Sequence, residues 1–200
     1  MSKGPIRQDE DHILIKEFLS GKNTEFAFEQ LVLKYKDRIF NHCFRFLGNY
    51  ADADDSAQEV FLRVYRSLKG FRFQSSFSTW LYRVTVNVCK NRLVSQEYRY
   101  KSKMVHLDAP LETEEGDCKR EIPDGSLSPV NEILKKEKDN LIQEAINSLP
   151  ADQKAVVALR DIELFSYEEI AKITGFNIGT VKSKLSRARQ ALCEKLRRLI

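Results

Sequence analysis

The stretch from Ser166 to Leu192 constrains the fold more than any other part of the chain. Ser166 stands three residues before Glu169, the spacing of a capping box, in which each side chain satisfies the other residue's free backbone N–H at a helix start. Thr174-Gly175 supplies the stop, because glycine takes the left-handed cap conformation without a Cβ penalty. A turn of three or four residues then leads into a second helix from about Ile178. On it Val181, Leu185, Ala188, Leu192, Leu196 and Leu199 form one apolar stripe. At about 100° per residue, Ser183, Ser186, Arg187 and Gln190 take the opposite face, with Lys182 and Arg189 flanking it. Ala171 is small where two helices must cross closely. Small polar residues framed by cations suit a groove floor bounded by phosphates, so the run predicts a helix-turn-helix. A capped helix pair with a basic outer face also describes an ordinary solvated surface, so the DNA reading needs support from the rest of the chain.

The remaining sequence reads as helix almost throughout. Only 8 Gly and 5 Pro interrupt 200 residues, and no sustained period-two run competes with the 3.6-residue period. Helices are expected over 9–20, 25–47, 51–67 and 78–96, separated at Gly21, Gly48 and Gly70, then over 129–147 and 151–162 with a Leu149-Pro150 stop between them. Between the two groups, Leu107 to Pro129 holds seven acids, two bases and three of the five prolines, the composition of an extended linker that nucleic acid would repel. The expected architecture is therefore all-α: two small helical domains, 1–99 and 131–200, joined by an extended acidic linker over 100–130, with the helix-turn-helix in the second.

Charge and composition narrow the function classes. No run approaches the roughly 18 apolar residues of a membrane span and the first residues carry no apolar export signal, so a cytoplasmic protein without membrane insertion is expected. Cys43, Cys89, Cys118 and Cys193 lie far apart with no paired-ligand spacing and read as reduced thiols. His12, His42 and His106 are isolated, and no phosphate-binding glycine loop or zinc motif occurs, which argues against an enzyme and implies no metal or cofactor. The formal charge of +4 conceals two basic stretches: seven cations against Glu194 from Phe176 onward, and six against Glu97 from Arg83 to Lys103. Two such stretches suggest two contacts with a polyanion.

The first of these begins on a helix with its own chemistry. Trp80, Arg83, Asn87 and Asn91 fall on about one face, beside an apolar face of Leu81, Val84 and Val88. Amides carry a donor and an acceptor for the edge of an unstacked base, and an aromatic or guanidinium plane can stack on it, which suits single-stranded DNA. Trp80 alone fits a core position equally well, and the three phenylalanines of Gly70 to Phe77 either cap a core or line a base pocket. Upstream, Asp52, Asp54 and Asp55 complement a helix dipole, whereas Gln58 and Glu59 exceed that need and suit a protein partner.

Together these segments resemble the bacterial sigma factors of the extracytoplasmic-function type (group 4), the minimal class with two sigma domains. The run from Asp54 to Tyr65 is similar to the polymerase-binding segment of domain two, Phe77 to Arg92 to its promoter-melting segment, and Ser148 to Leu196 to domain four. The resemblance implies a factor that binds core RNA polymerase and directs promoter-specific initiation, with an anti-sigma factor as a further partner. It assigns Asp55, Gln58 and Glu59 to polymerase, and Trp80, Arg83, Asn87, Lys90 and Asn91 to the minus ten element. Thr180, Lys182, Ser183, Ser186, Arg187 and Gln190 fall to the minus 35 element. The chain departs from the pattern at Phe73-Gln74, where relatives carry a Gly-Asp-like pair, and at Ser186, where some carry an aromatic residue. A stand-alone helix-turn-helix regulator is the competing reading; it would bind duplex DNA without polymerase.

Overall fold

The computed structural model describes residues 8–95 and 129–197, with side chains over 10–95 and 138–197. Most of the expected linker, with Cys118, and Leu199 lie outside the described residues.

Among the described residues, the α-helices of the first block are α1 (Gln8–Ser20), α2 (Thr24–Leu47), α3 (Tyr50–Ser67) and α4 (Phe77–Val94), with a 3-10 turn over Leu68–Gly70. Local chemistry sets their ends. The Asn49 side chain accepts the Asp52 N–H at 3.0 Å, and Ser76 Oγ accepts the Thr79 N–H at 3.1 Å, each supplying an N-cap. Gly48 closes α2 in the left-handed region at φ 75°, its N–H donating to the Phe44 carbonyl. In the core, Leu31, Tyr35, Ile39, Cys43 and Phe46 of α2 meet Val60 and Val64 of α3 and Leu81, Val88 and Cys89 of α4. Cys43 and Cys89, 46 residues apart in sequence, are free thiols with their sulfurs 3.6 Å apart inside this core.

The second block comprises α5 (Pro129–Asn147), α6 (Ala151–Val157), α7 (Tyr167–Thr174) and α8 (Ile178–Arg197). The capping box at Ser166 and Glu169 forms as expected, and Gly175 caps α7 at φ 77°. The helix expected over 151–162 changes character midway, with a π turn over Ala158–Ile162. Val181, Leu185 and Ala188 of the expected stripe are buried against Val156, Ile170 and Ile173.

The two blocks pack directly on each other. α4 lies along α7, and α2 touches α5 and α6. Tyr82 of α4 meets Phe165 edge-on at 4.9 Å. This contact explains a difference from the sequence reading: α4 buries Tyr82, Thr85 and Val86 as well as Leu81 and Val88, because a second body covers it.

Candidate nucleic-acid and polymerase interfaces

On α8 the polar face expected from the periodicity points outward. Lys182, Ser183, Ser186, Arg187 and Gln190 are exposed, and Thr180 is half-buried. Asn177 fixes the start of the helix, its Oδ1 accepting the Thr180 N–H at 2.7 Å. The sequence reading passed over this cap, although an asparagine three residues before Thr180 is its ordinary signature. Ser183 donates to the Thr180 carbonyl at 3.1 Å and Gln190 to Glu194 at 3.1 Å, while Arg187 has no ion-pair partner among the described residues. The two flanking cations differ: Lys182 sits over the Tyr167 ring at 5.7 Å, and Arg189 is paired with Asp161. A row of short polar side chains around one unpaired guanidinium leaves room for base edges and supplies a bidentate donor.

On α4 the structure gathers some of the expected residues and diverts one. Arg83, Asn87 and Asn91 are exposed along one face. Trp80 is half-buried, packed on Phe71 at 5.3 Å and Phe77 at 6.0 Å, so it belongs both to a core edge and to a surface. Lys90 is half-buried and turned toward Asp152 of the second block, 2.9 Å away. Beside Trp80 opens a cavity of about 490 Å³ walled by Arg72, Gln74, Trp80, Arg83 and Lys172 among others. Three cations and no carboxylate line it. Arg72 and Lys172 were not picked out from the sequence, since one is a loop cation and the other comes from the other block.

The phenylalanines of the loop before α4 divide their roles. Phe71 and Phe77 are buried, whereas Phe73 is 37% exposed and adopts φ 55°, an unusual value for an aromatic residue. Its ring is held edge-on by His12 of α1 at 4.4 Å and by Phe71 at 4.9 Å.

The outer face of α3 carries the third group. Gln58 is exposed and donates to Asp54 at 3.0 Å; Glu59 pairs with Arg63 one turn on at 2.5 Å. Asp55 is tied to Arg92 of α4 at 3.0 Å. Asp52, read as a helix-dipole acid, is instead buried, accepting from Arg92 at 2.8 Å. Hydrogen bonding to these two aspartates holds the Arg92 guanidinium even above its ordinary pKa. Leu62 and Tyr65 continue the face at 58% and 44% exposure. Two large apolar side chains beside an exposed amide and a carboxylate make a surface suited to a protein partner. Among the described residues no group of His, Cys, Asp and Glu is gathered as a metal site requires, and no helix is long and apolar enough to cross a membrane.

Comparison with known proteins bears on both blocks. Residues 31–98 match the family Sigma-70 region 2, and residues 139–192 match Sigma-70, region 4. The chain is similar to the RNA polymerase sigma-H factor of Pseudomonas aeruginosa, 36% identical over 196 residues, covering 98% of each chain. It is likewise 36% identical over 190 residues to the ECF RNA polymerase sigma-E factor of Escherichia coli, covering 95% of this chain and 96% of the other. Among solved structures it resembles CnrH in complex with the cytosolic domain of CnrY, with a TM-score of 0.64 at 21% identity over 94% of this chain and 97% of the other. It also resembles RpoE in complex with the anti-sigma factor NepR from Bartonella quintana, with a TM-score of 0.59 at 26% identity, covering 85% and 96%.

Proposed function

The chain belongs to the ECF RNA polymerase sigma factors, and from that premise we propose how its surfaces divide the work of initiation. Its function is promoter-specific transcription initiation with RNA polymerase. Within it, the α8 face of Thr180, Lys182, Ser183, Ser186, Arg187 and Gln190 reads the minus 35 element in the major groove. The α4 face of Trp80, Arg83, Asn87 and Asn91, joined by Lys90 once it is free, captures the minus ten strand. The α3 face of Asp55, Gln58 and Glu59 docks on core polymerase, with Leu62 and Tyr65 supplying its apolar centre. Residues 1–99 and 131–200 act as the two domains of a minimal, group 4 factor, and 100–130 as the acidic linker between them. The protein works in the cytoplasm, without catalytic activity or cofactor of its own. Likeness to a sigma factor solved with its anti-sigma partner supports a similar partner here.

The observation that carries the strand-capture reading is the row of exposed Arg83, Asn87 and Asn91 beside the cationic cavity at Trp80. Holding a base outside the stack repays an unstacking cost of a few kcal/mol. Asn87→Ala removes a donor and an acceptor from that row while leaving the buried Leu81 and Val88 in place. Permanganate footprinting of the holoenzyme at matched occupancy should show reduced minus ten opening on duplex promoters and little loss on promoters already mismatched there. Equal opening on the duplex would remove Asn87 from the site.

A further inference from the structure

Three cations meet at one place with no carboxylate among them. Arg72 lies in the loop before α4, Arg83 in the second turn of that helix and Lys172 on α7, yet all three wall the cavity of about 490 Å³ beside Trp80. All three are exposed, and none has an ion-pair partner among the described residues. Other cations of α4 and α8 are treated differently: Lys90, Arg92, Lys184 and Arg189 each find an aspartate. Like charges drawn together from segments far apart in sequence repel one another, and an anion placed in their midst turns that repulsion into attraction.

The rest of the lining narrows the kind of anion. Gln74 is exposed on the wall, and its amide carries both a donor and an acceptor for the edge of a heteroaromatic ring. Ser75 adds a hydroxyl. Trp80 packs on Phe71 and Phe77 but is only half-buried, so part of its indole remains open to the cavity as a surface on which a ring can stack. Bare phosphate would leave the indole and the amide unused. An uncharged ring would leave three cations unanswered. The volume is that of a site for one small molecule.

We infer that this cavity binds a free nucleoside polyphosphate, with its ring on Trp80, the ring edge on Gln74 and its phosphates held by Arg72, Arg83 and Lys172. The two guanidiniums supply paired donors to phosphate oxygens, and Lys172 supplies a point charge. Arg72, Gln74 and Lys172 lie outside the residues assigned to either promoter element. Trp80 and Arg83 are shared with the face assigned to the minus ten strand, so the consequence for initiation rests on that reading: a chain holding the nucleotide cannot offer these two side chains to a base. Occupancy of the cavity then lowers the fraction of chains competent to capture the strand.

Trp80 is the only tryptophan, so its fluorescence reports this cavity in the full-length protein. Titration with GTP, corrected for nucleotide absorbance against free tryptophan, should quench it saturably. Guanosine and inorganic tripolyphosphate should each bind at least about tenfold more weakly, because each lacks one of the two recognised parts. Lys172→Ala and Arg72→Ala should each weaken GTP by about tenfold, the loss of one charged hydrogen bond, whereas Lys172→Arg should stay near the wild type. Circular dichroism checks that the helices persist in each variant. Absence of saturable quenching by GTP would overturn the site, and so would quenching indifferent to both alanine substitutions. Tripolyphosphate binding as tightly as GTP would overturn the nucleoside assignment. Failure of the strand-capture reading registers elsewhere, in wild-type-like promoter opening by Asn87→Ala, and leaves the fluorescence result interpretable.

Discussion

Acid should destabilise this protein through one buried side chain. His42 of α2 is 1% exposed, and neither of its ring nitrogens has a hydrogen-bond partner. It lies 5.2 Å edge-on from Tyr82 and 6.4 Å from Phe46, below the interface where Tyr82 meets Phe165. Burial pushes its pKa down to about 4, against a smaller upward pull from the Glu163 carboxylate, which is itself paired with Arg38. Between these values and the ordinary ~6.5 of an exposed histidine, the unfolded chain carries a proton on this ring and the folded chain does not. Folded stability is therefore intact above pH 6.5 and falls as the pH drops toward 4. The difference from about 6.5 to about 4 corresponds to about 3 kcal/mol, a large share of a typical domain's stability. His42→Leu keeps the site apolar and removes the proton acceptor. Urea unfolding followed by the fluorescence of Trp80, the only tryptophan, at pH 7.5 and 4.5 should show the wild type losing about 2 to 3 kcal/mol more than the variant. The carboxylates titrate in both proteins and cancel in the comparison. Parallel losses would mean that His42 is protonated or solvated in the folded state, and the argument would fail.

Arg187→Ala should lower discrimination at one base pair of the upstream element by about 1 to 3 kcal/mol, measured by competition among promoter variants with the holoenzyme; unchanged selectivity removes Arg187 from base reading. Gln58→Ala combined with Glu59→Lys should weaken binding to core polymerase while changing the unfolding free energy by no more than about 0.5 kcal/mol, because both side chains lie on the solvent face of α3. A large loss of stability together with weakened binding would show that this face supports the fold rather than a partner.

Helix ends were legible because their signals are local. The capping box at Ser166 and Glu169 and the left-handed Gly48 and Gly175 each need only a few neighbouring residues, and all form as the sequence predicts. The outward face of α8 was legible for the same reason, since burying Val181, Leu185 and Ala188 obliges Ser183, Ser186 and Arg187 to face solvent. What escaped reading depends on partners distant in the chain. Asp52 looks like a first-turn acid until Arg92, 40 residues later, is seen to bond to it. Asp152 has the same local signature, and nothing near it announces Lys90 or Lys184. Lys90 carries a charge that suits a phosphate, and its carboxylate neighbour Asp152 comes from the other block, where no local signal announces it. The cavity at Trp80 draws Arg72 and Lys172 from two blocks, a combination without any sequence period.

The proposed strand-reading surface shares residues with the core. Phe71 and Phe77 are buried and carry Trp80 at their edge, so the indole is immobilised by the same apolar packing that holds α4 on α2. In the proposed role an indole fixed in this way loses little side-chain freedom when a base arrives, which favours binding without any added contact. Phe73 shows the opposite balance: its backbone at φ 55° costs on the order of 1 kcal/mol or more, and its side chain stays 37% exposed. Its ring contacts with His12 and Phe71 offset that cost and hold the turn in place. The next residue, Gln74, lines the same cavity as Arg83 of the exposed α4 row. A loop that was merely a connector would relax to an ordinary backbone geometry. The His12 contact joins α1, a helix that lies outside the matched sigma region at 31–98, to the loop beside the proposed minus ten surface.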